Sequence, residues 1–150
     1  DTSFEVFKKA VIKLSKKKFI KSYFYVYEQT ASKENERELG HGFHIHMLFE
    51  KTKEAEAPSK IKKYIRSGFK SIMDVDNEAC FKIHIMPERF IQDKIDYMLD
   101  KNLDDDHKDK EQKQECDVIW RQQEKLEPFY HYGNEGKVYE AFSKIEGISE

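Results

Sequence analysis

Phe43-His44-Ile45-His46-Met47-Leu48-Phe49 decides how this chain is read. The run is apolar enough to be a buried strand, yet it carries two histidines one residue apart. A period of two puts His44 and His46 on one face and Phe43, Ile45, Met47 and Phe49 on the other. Imidazoles at successive same-face positions can aim at one point, which is how a strand builds half of a metal site. Upstream, Ser22-Tyr23-Phe24-Tyr25-Val26-Tyr27-Glu28 is a second strand by its aromatic and β-branched content. As a hairpin partner it would bring the Glu28 carboxylate to the histidine pair. Two imidazoles and a carboxylate leave positions open for water and a phosphate oxygen, and suit Mg²⁺ or Mn²⁺. His41 and Glu38 compete for the carboxylate role or for a place behind the ligands. A structural histidine pair and an exposed strand-end glutamate are the alternatives.

Outward from the two strands, Phe4, Phe7, Ala10, Val11 and Leu14 recur at helical spacing and predict an amphipathic helix over 3–18. A polar connection from 32 to 40 leads into the histidine strand at 42–50. Pro58 and Ser59 open a second helix with Ile61, Tyr64, Ile65, Phe69 and Ile72 as its apolar stripe. Phe81-Lys82-Ile83-His84-Ile85-Met86 reads as a third strand stopped by Pro87. A third helix follows, its stripe made of Phe90, Ile91, Ile95, Met98 and Leu99. The predicted class is α+β, a central antiparallel sheet with flanking helices of the split βαβ kind. That topology places a strand ahead of the opening helix, and none is evident. Either the chain begins inside the domain or the strand lies hidden at its edge. The expected division is a core over 1–102, a charged linker or solvated helix over 103–117, and a helical extension over 118–150.

The 150 residues suffice for one core, and 13% aromatics argue against wholesale disorder despite 37% charged residues. No apolar run approaches the ~20 residues of a membrane span. Cys80 and Cys116 are too few for a disulfide framework or a zinc knuckle and read as reduced thiols. No GxxxxGK[ST] run is present, which excludes a nucleotide-driven motor of that kind. The net charge of −2 hides an asymmetry. Residues 1–100 carry 19 Lys and Arg against 16 Asp and Glu, whereas 101–150 carry 8 against 13. Lys16, Lys17, Lys18 and Lys21 belong to a basic stretch suited to a phosphate backbone, or else to a solvated helix face.

Tyr97 and Lys101 stand at i, i+4 in the third helix. A phenol with a pKa near ~10 is a poor nucleophile at neutral pH without help. An ammonium and a metal nearby would stabilise the phenolate and the charge gathering on a phosphate. Tyr23, Tyr25 and Tyr27 alternate on one strand face, as packing or as a base-stacking surface for single-stranded DNA.

With these residues in order, the chain resembles the HUH endonuclease domain of rolling-circle replication initiators (Rep proteins) of small circular single-stranded DNA viruses and related plasmids or phages. His44-Ile45-His46 matches the family's His-hydrophobic-His motif, and Glu28 stands where circovirus-like members place the third ligand. Tyr97 to Lys101 fits the longer Tyr-x-x-x-Lys form of the nucleophile motif. The 81–85 run is similar to the strand preceding the nucleophile helix, which gives His84 a scaffold or DNA-contact role. The resemblance covers residues 20–102. Met86 replaces a glutamate common in the family, and 103–150 match nothing in it.

The resemblance implies an RRM-like fold and a divalent metal held by Glu28, His44 and His46. It implies Tyr97 as nucleophile, Lys101 as the charge-neutralising lysine, and origin-hairpin single-stranded DNA as substrate, with His84 as a DNA contact; Lys16, Lys17, Lys18, Lys21, Tyr25 and Tyr27 are the DNA-contact candidates that charge and strand aromatics supply. A helicase domain beyond Glu150 is the expected partner, with no membrane association. The expected location is the nucleus for a eukaryotic virus and the cytoplasm for a phage or plasmid. A non-catalytic single-stranded nucleic-acid binding module on a similar sheet is the alternative, and a metal-dependent hydrolase with water as nucleophile is a third.

Overall fold

The structure, a computed structural model, describes residues 2–99, 108–145 and 148. It is mixed α+β, with five helices and one three-stranded antiparallel sheet among the described residues. The chain divides into two compact units, one formed by residues up to 21 with 51–87 and the other by 22–50 with 88–150.

The first unit contains helix α1 (Phe4–Ser15) and helix α2 (Pro58–Phe69). The Ser3 side chain caps α1 by accepting from the Val6 N–H at 3.3 Å, and Pro58 starts α2 where a missing N–H costs nothing. Phe7 and Val11 on α1 are buried, as are Ile61, Ile65 and Phe69 at every fourth position of α2. Phe7 meets Phe69 at 6.2 Å between ring centroids, and Phe81 meets Phe69 at 6.0 Å.

The expected third strand at 81–86 is absent, a correction to the sequence reading. Strands owe their order to ladder hydrogen bonds with a neighbour, and this run has no ladder. Its aromatic residue packs on a helix instead, and Ile85 is 69% exposed.

The second unit is organised by strand β1 (Ile20–Glu28), which lies between β2 (His44–Lys51) and β3 (Tyr130–Tyr132) in the order β2-β1-β3. Tyr23, Phe24 and Tyr25 pair with Tyr132, His131 and Tyr130. Burial from Ser22 through Glu28 is nearly continuous except at Tyr23, the pattern of a strand covered on both faces. On one face Phe24 stacks with Phe129 and Phe142 at 5.3 and 6.2 Å. On the other, Tyr25 stacks with Tyr130 at 4.8 Å, and Tyr27 meets that ring edge-on at 5.8 Å.

Helix α3 (Ile91–Met98) follows a 3₁₀ turn (Glu88–Phe90) and packs against helix α5 (Lys137–Phe142). Ile95, Met98, Val138, Ala141 and Phe142 are buried there. No flanking side chain caps α5; Glu50 of β2 does so, accepting from the N–H groups of Lys137 and Val138 at 2.7 and 3.2 Å.

Helix α4 (Lys108–Gln123) runs through the boundary expected at 117. The segment beyond it is not helical alone: it contributes β3 to the sheet and α5 to the core. A strand as short as Tyr130-His131-Tyr132, with a polar residue at its centre, offers too little alternation to be recognised by pattern.

Candidate metal centre

Alternation along β1 puts Glu28 on the face of Phe24 and Val26, at the strand's end. The loop from 29 to 43 returns the chain as β2, so that His44 and His46 face Glu28. Glu28 Oε1 lies 3.6 Å from Nε2 of His44 and 3.6 Å from Nε2 of His46. Glu28 is buried, both histidines are half-buried, and one donor atom from each lies within 4.8 Å of the others. Donors about 2.1 Å from a shared ion stand roughly 3.0–3.4 Å apart, so a small inward shift would close the three on one cation.

Two features prepare the donors for that role. The loop holds Thr30 N–H against the His41 carbonyl at 2.7 Å, and Gly42 takes φ +65° where a Cβ would strike the Thr30 side chain. That geometry aims the Gly42 carbonyl at Nδ1 of His44, 2.8 Å away. Donation of the Nδ1 proton to the carbonyl leaves the Nε2 lone pair directed at the site. The second feature is electrostatic. Burial alone would raise Glu28, but hydrogen bonds from His44 and His46 and the charge of Lys113 outweigh it and hold the carboxylate well below its usual range. Burial also pulls His44 down; the Glu28 carboxylate and the Gly42 carbonyl outweigh it and raise the imidazole. The pair is therefore a carboxylate facing imidazoles that a metal would have to keep deprotonated.

A polar network missed by the sequence reading supports the centre from behind. Lys113 Nζ lies 3.1 Å from Glu28 Oε1 and 3.1 Å from Asp117 Oδ2. Asp117, 1% exposed, also accepts from the Gln29 backbone N–H at 3.1 Å and side-chain amide at 2.8 Å. Gln29 in turn accepts from the N–H groups of Ala31 and Gly40 at 2.9 and 3.2 Å. The Arg121 Nε–H donates to the Tyr27 carbonyl at 2.8 Å. The one local signal was the i, i+4 spacing of Lys113 and Asp117 in a helix with no clear apolar stripe.

Tyr97 stands beside the centre. Its ring meets the His46 ring edge-on at 6.2 Å between centroids and is 45% exposed. Lys94, one turn earlier on α3, places Nζ 5.1 Å from the centroid of the Tyr97 ring. The structure thus brings together Glu28, His44, His46 and Tyr97. Lys101 lies outside the described residues.

The remaining candidates fall elsewhere. Tyr25 and Tyr27 are 3% and 2% exposed and stacked within the protein, so the packing role fits them and their rings are not presented to a base. Burial pushes the Tyr25 phenol up to about 12 and raises Tyr27 as well. Lys16, Lys17 and Lys18 are exposed in the turn after α1, Lys21 is half-buried at the start of β1, and His84 is exposed in the segment before Pro87. These five belong to the first unit and the metal centre to the second. His41 and Glu38 are tied to the loop backbone, the N–H of His41 donating to the Glu38 carbonyl at 2.9 Å.

Comparison with family models, curated proteins and solved structures returns no match.

Proposed function

We propose that the chain is a metal-dependent nicking endonuclease and strand transferase for single-stranded DNA, of the HUH type that initiates rolling-circle replication. The observation that carries the reading is the adjacency of two independent elements: a Glu28–His44–His46 donor set, and the Tyr97 ring against His46. A structural histidine pair would not need a partly exposed tyrosine at its side. Mg²⁺ or Mn²⁺ suits a mixed imidazole and carboxylate set with open positions, and the ion would supply Lewis-acid polarisation of a phosphate oxygen.

Tyr97 Oη attacks the phosphorus as its proton leaves to solvent. The bond to the 3′ oxygen breaks, and that oxygen takes up a proton to become a 3′-OH. The product is a 5′-phosphotyrosine, which preserves one phosphodiester-level bond, so the reverse attack by a 3′-OH rejoins strands without ATP. Glu28, His44 and His46 would hold the ion against which the scissile phosphate is oriented, and Lys101 neutralises charge on that phosphate. The finer assignment to the split βαβ, RRM-like HUH fold belongs to the same proposal, supported by the β1–β2 hairpin followed by a tyrosine-bearing helix.

A panel of single-stranded origin-hairpin oligonucleotides with Mn²⁺, resolved on a denaturing gel, tests the reading. The expected result is a slow-migrating protein–DNA band, lost with EDTA and with Tyr97→Phe. Cleavage without such a band would assign water as the nucleophile. Binding without cleavage would leave a nucleic-acid binding module.

A further inference from the structure

Lys94 is the feature of this site that the sequence motifs leave unused. It precedes Tyr97 by three residues on α3, which places both side chains on one helix face. Its ammonium sits over the Tyr97 ring, 5.1 Å from the centroid, and is half-buried. Burial lowers its pKa while the Glu28 charge pulls the other way, so Lys94 stands within electrostatic reach of the metal donors. Among the described residues its Nζ makes no ion pair. The acidic neighbours are otherwise engaged: Glu28 and Asp117 share Lys113, and Asp96 accepts from the Gln92 amide at 3.3 Å.

The charges around the centre make the consequence definite. Among the described residues, Glu28, Asp96 and Asp117 carry three negative charges against the two positive charges of Lys94 and Lys113, so a divalent ion would leave the cluster with one net positive charge. A half-buried ammonium with no ion-pair partner among the described residues, next to such a cluster, is suited to an anion. Its place over the Tyr97 ring, which itself meets the His46 ring at 6.2 Å, points it to an anion held beside the tyrosine and the metal donors.

We propose that Lys94 completes a phosphate subsite with the metal centre, its ammonium donating to a non-bridging oxygen of the phosphodiester that Tyr97 attacks. The subsite rests on the phosphoryl-transfer reading of this site. Lys94 touches substrate in this role, and it does so from the side of Tyr97 opposite in sequence to Lys101.

Inorganic phosphate is the probe, titrated calorimetrically into the Mg²⁺-loaded chain. Wild type should bind phosphate saturably. Lys94→Met should weaken phosphate by about tenfold or more, the order expected for one lost charge-assisted hydrogen bond. Lys94→Arg should stay within about threefold of wild type, and both variants should retain saturable Mg²⁺ binding, which also verifies folding. Wild-type phosphate affinity in Lys94→Met, or no saturable binding by wild type, would overturn the subsite. Tyr97→Phe separates the two claims: it should abolish the covalent DNA band and leave phosphate binding intact. If wild type forms no such band while phosphate binding still depends on Lys94, the nicking reading fails and the subsite stands.

Discussion

Lys113→Met is the perturbation that bears hardest on the buried network. Lys113 holds two carboxylates at 3.1 Å each, one of them 8% exposed at its side chain and the other 2%. Methionine preserves most of the apolar stem, so the variant removes chiefly the charge. Removing one partner of a buried pair costs roughly 3–5 kcal/mol because the other charge is left uncompensated. Lys113 itself is 30% exposed at its side chain, which favours the low end. A loss of about 3 kcal/mol corresponds to roughly 6–12 °C in Tm for a chain of this size. That is the expectation in EDTA.

With saturating Mn²⁺ the ion supplies positive charge to Glu28, so the loss should shrink to about half or less. Linkage makes this a statement about affinity as well. A difference of about 1.4 kcal/mol between the two conditions means about tenfold tighter Mn²⁺ binding by the variant. Thermal melts with and without metal, together with Mn²⁺ titration of both proteins, measure the two sides independently. An equal Tm loss with and without Mn²⁺, or a loss under about 1 kcal/mol in EDTA, would refute the reasoning.

The pH profile of the metal-free protein follows from opposite signs at two groups. Glu28 is held below its ordinary value of 4.5, so its contribution is present above that pH and is lost as pH falls through the folded value. His44 is raised above 6.5, so its contribution is present below that pH and is lost as pH rises through the folded value. Urea midpoints in EDTA should therefore peak between pH 4.5 and 6.5, and Glu28→Gln should flatten both limbs. Metal affinity should instead climb across the His44 titration, because the ion displaces its proton; pH-independent affinity would contradict this. Gly40→Ala meets two obstacles, a φ of +91° and a Cβ 2.9 Å from Trp120 Nε1, and should cost about 1–3 kcal/mol. An unchanged Tm would show that the Trp120 contact yields freely.

The parts of the molecule legible from sequence were those in which periodicity and packing agree. Phe7 and Val11, and Ile61, Ile65 and Phe69, face inward at helical spacing as expected. Period two in β2 and a hairpin with a long loop suffice to bring Glu28 to His44 and His46. The segment 81–86 misled because Phe81, Ile83 and Ile85 alternate as a strand would, while pairing depends on a neighbour that no local pattern reveals. Helix α4 misled in the opposite way. Its polar stretch carries no apolar stripe around Lys113, yet that lysine reaches a glutamate 85 residues away. Contacts at such separation are set by tertiary packing alone. Lys94 was within reach of a spacing argument, since i, i+3 marks a shared face as well as the i, i+4 relation that singled out Lys101.

The most direct test is the fate of Tyr97 itself. After reaction with an oligonucleotide and Mn²⁺, nuclease and trypsin digestion should release the peptide 95–101, bounded by Lys94 and Lys101. Mass spectrometry is expected to find that peptide carrying a 5′-nucleotide phosphate on Tyr97, in a metal-dependent manner. An unmodified peptide from a reaction in which the DNA has been cut would contradict the tyrosine mechanism.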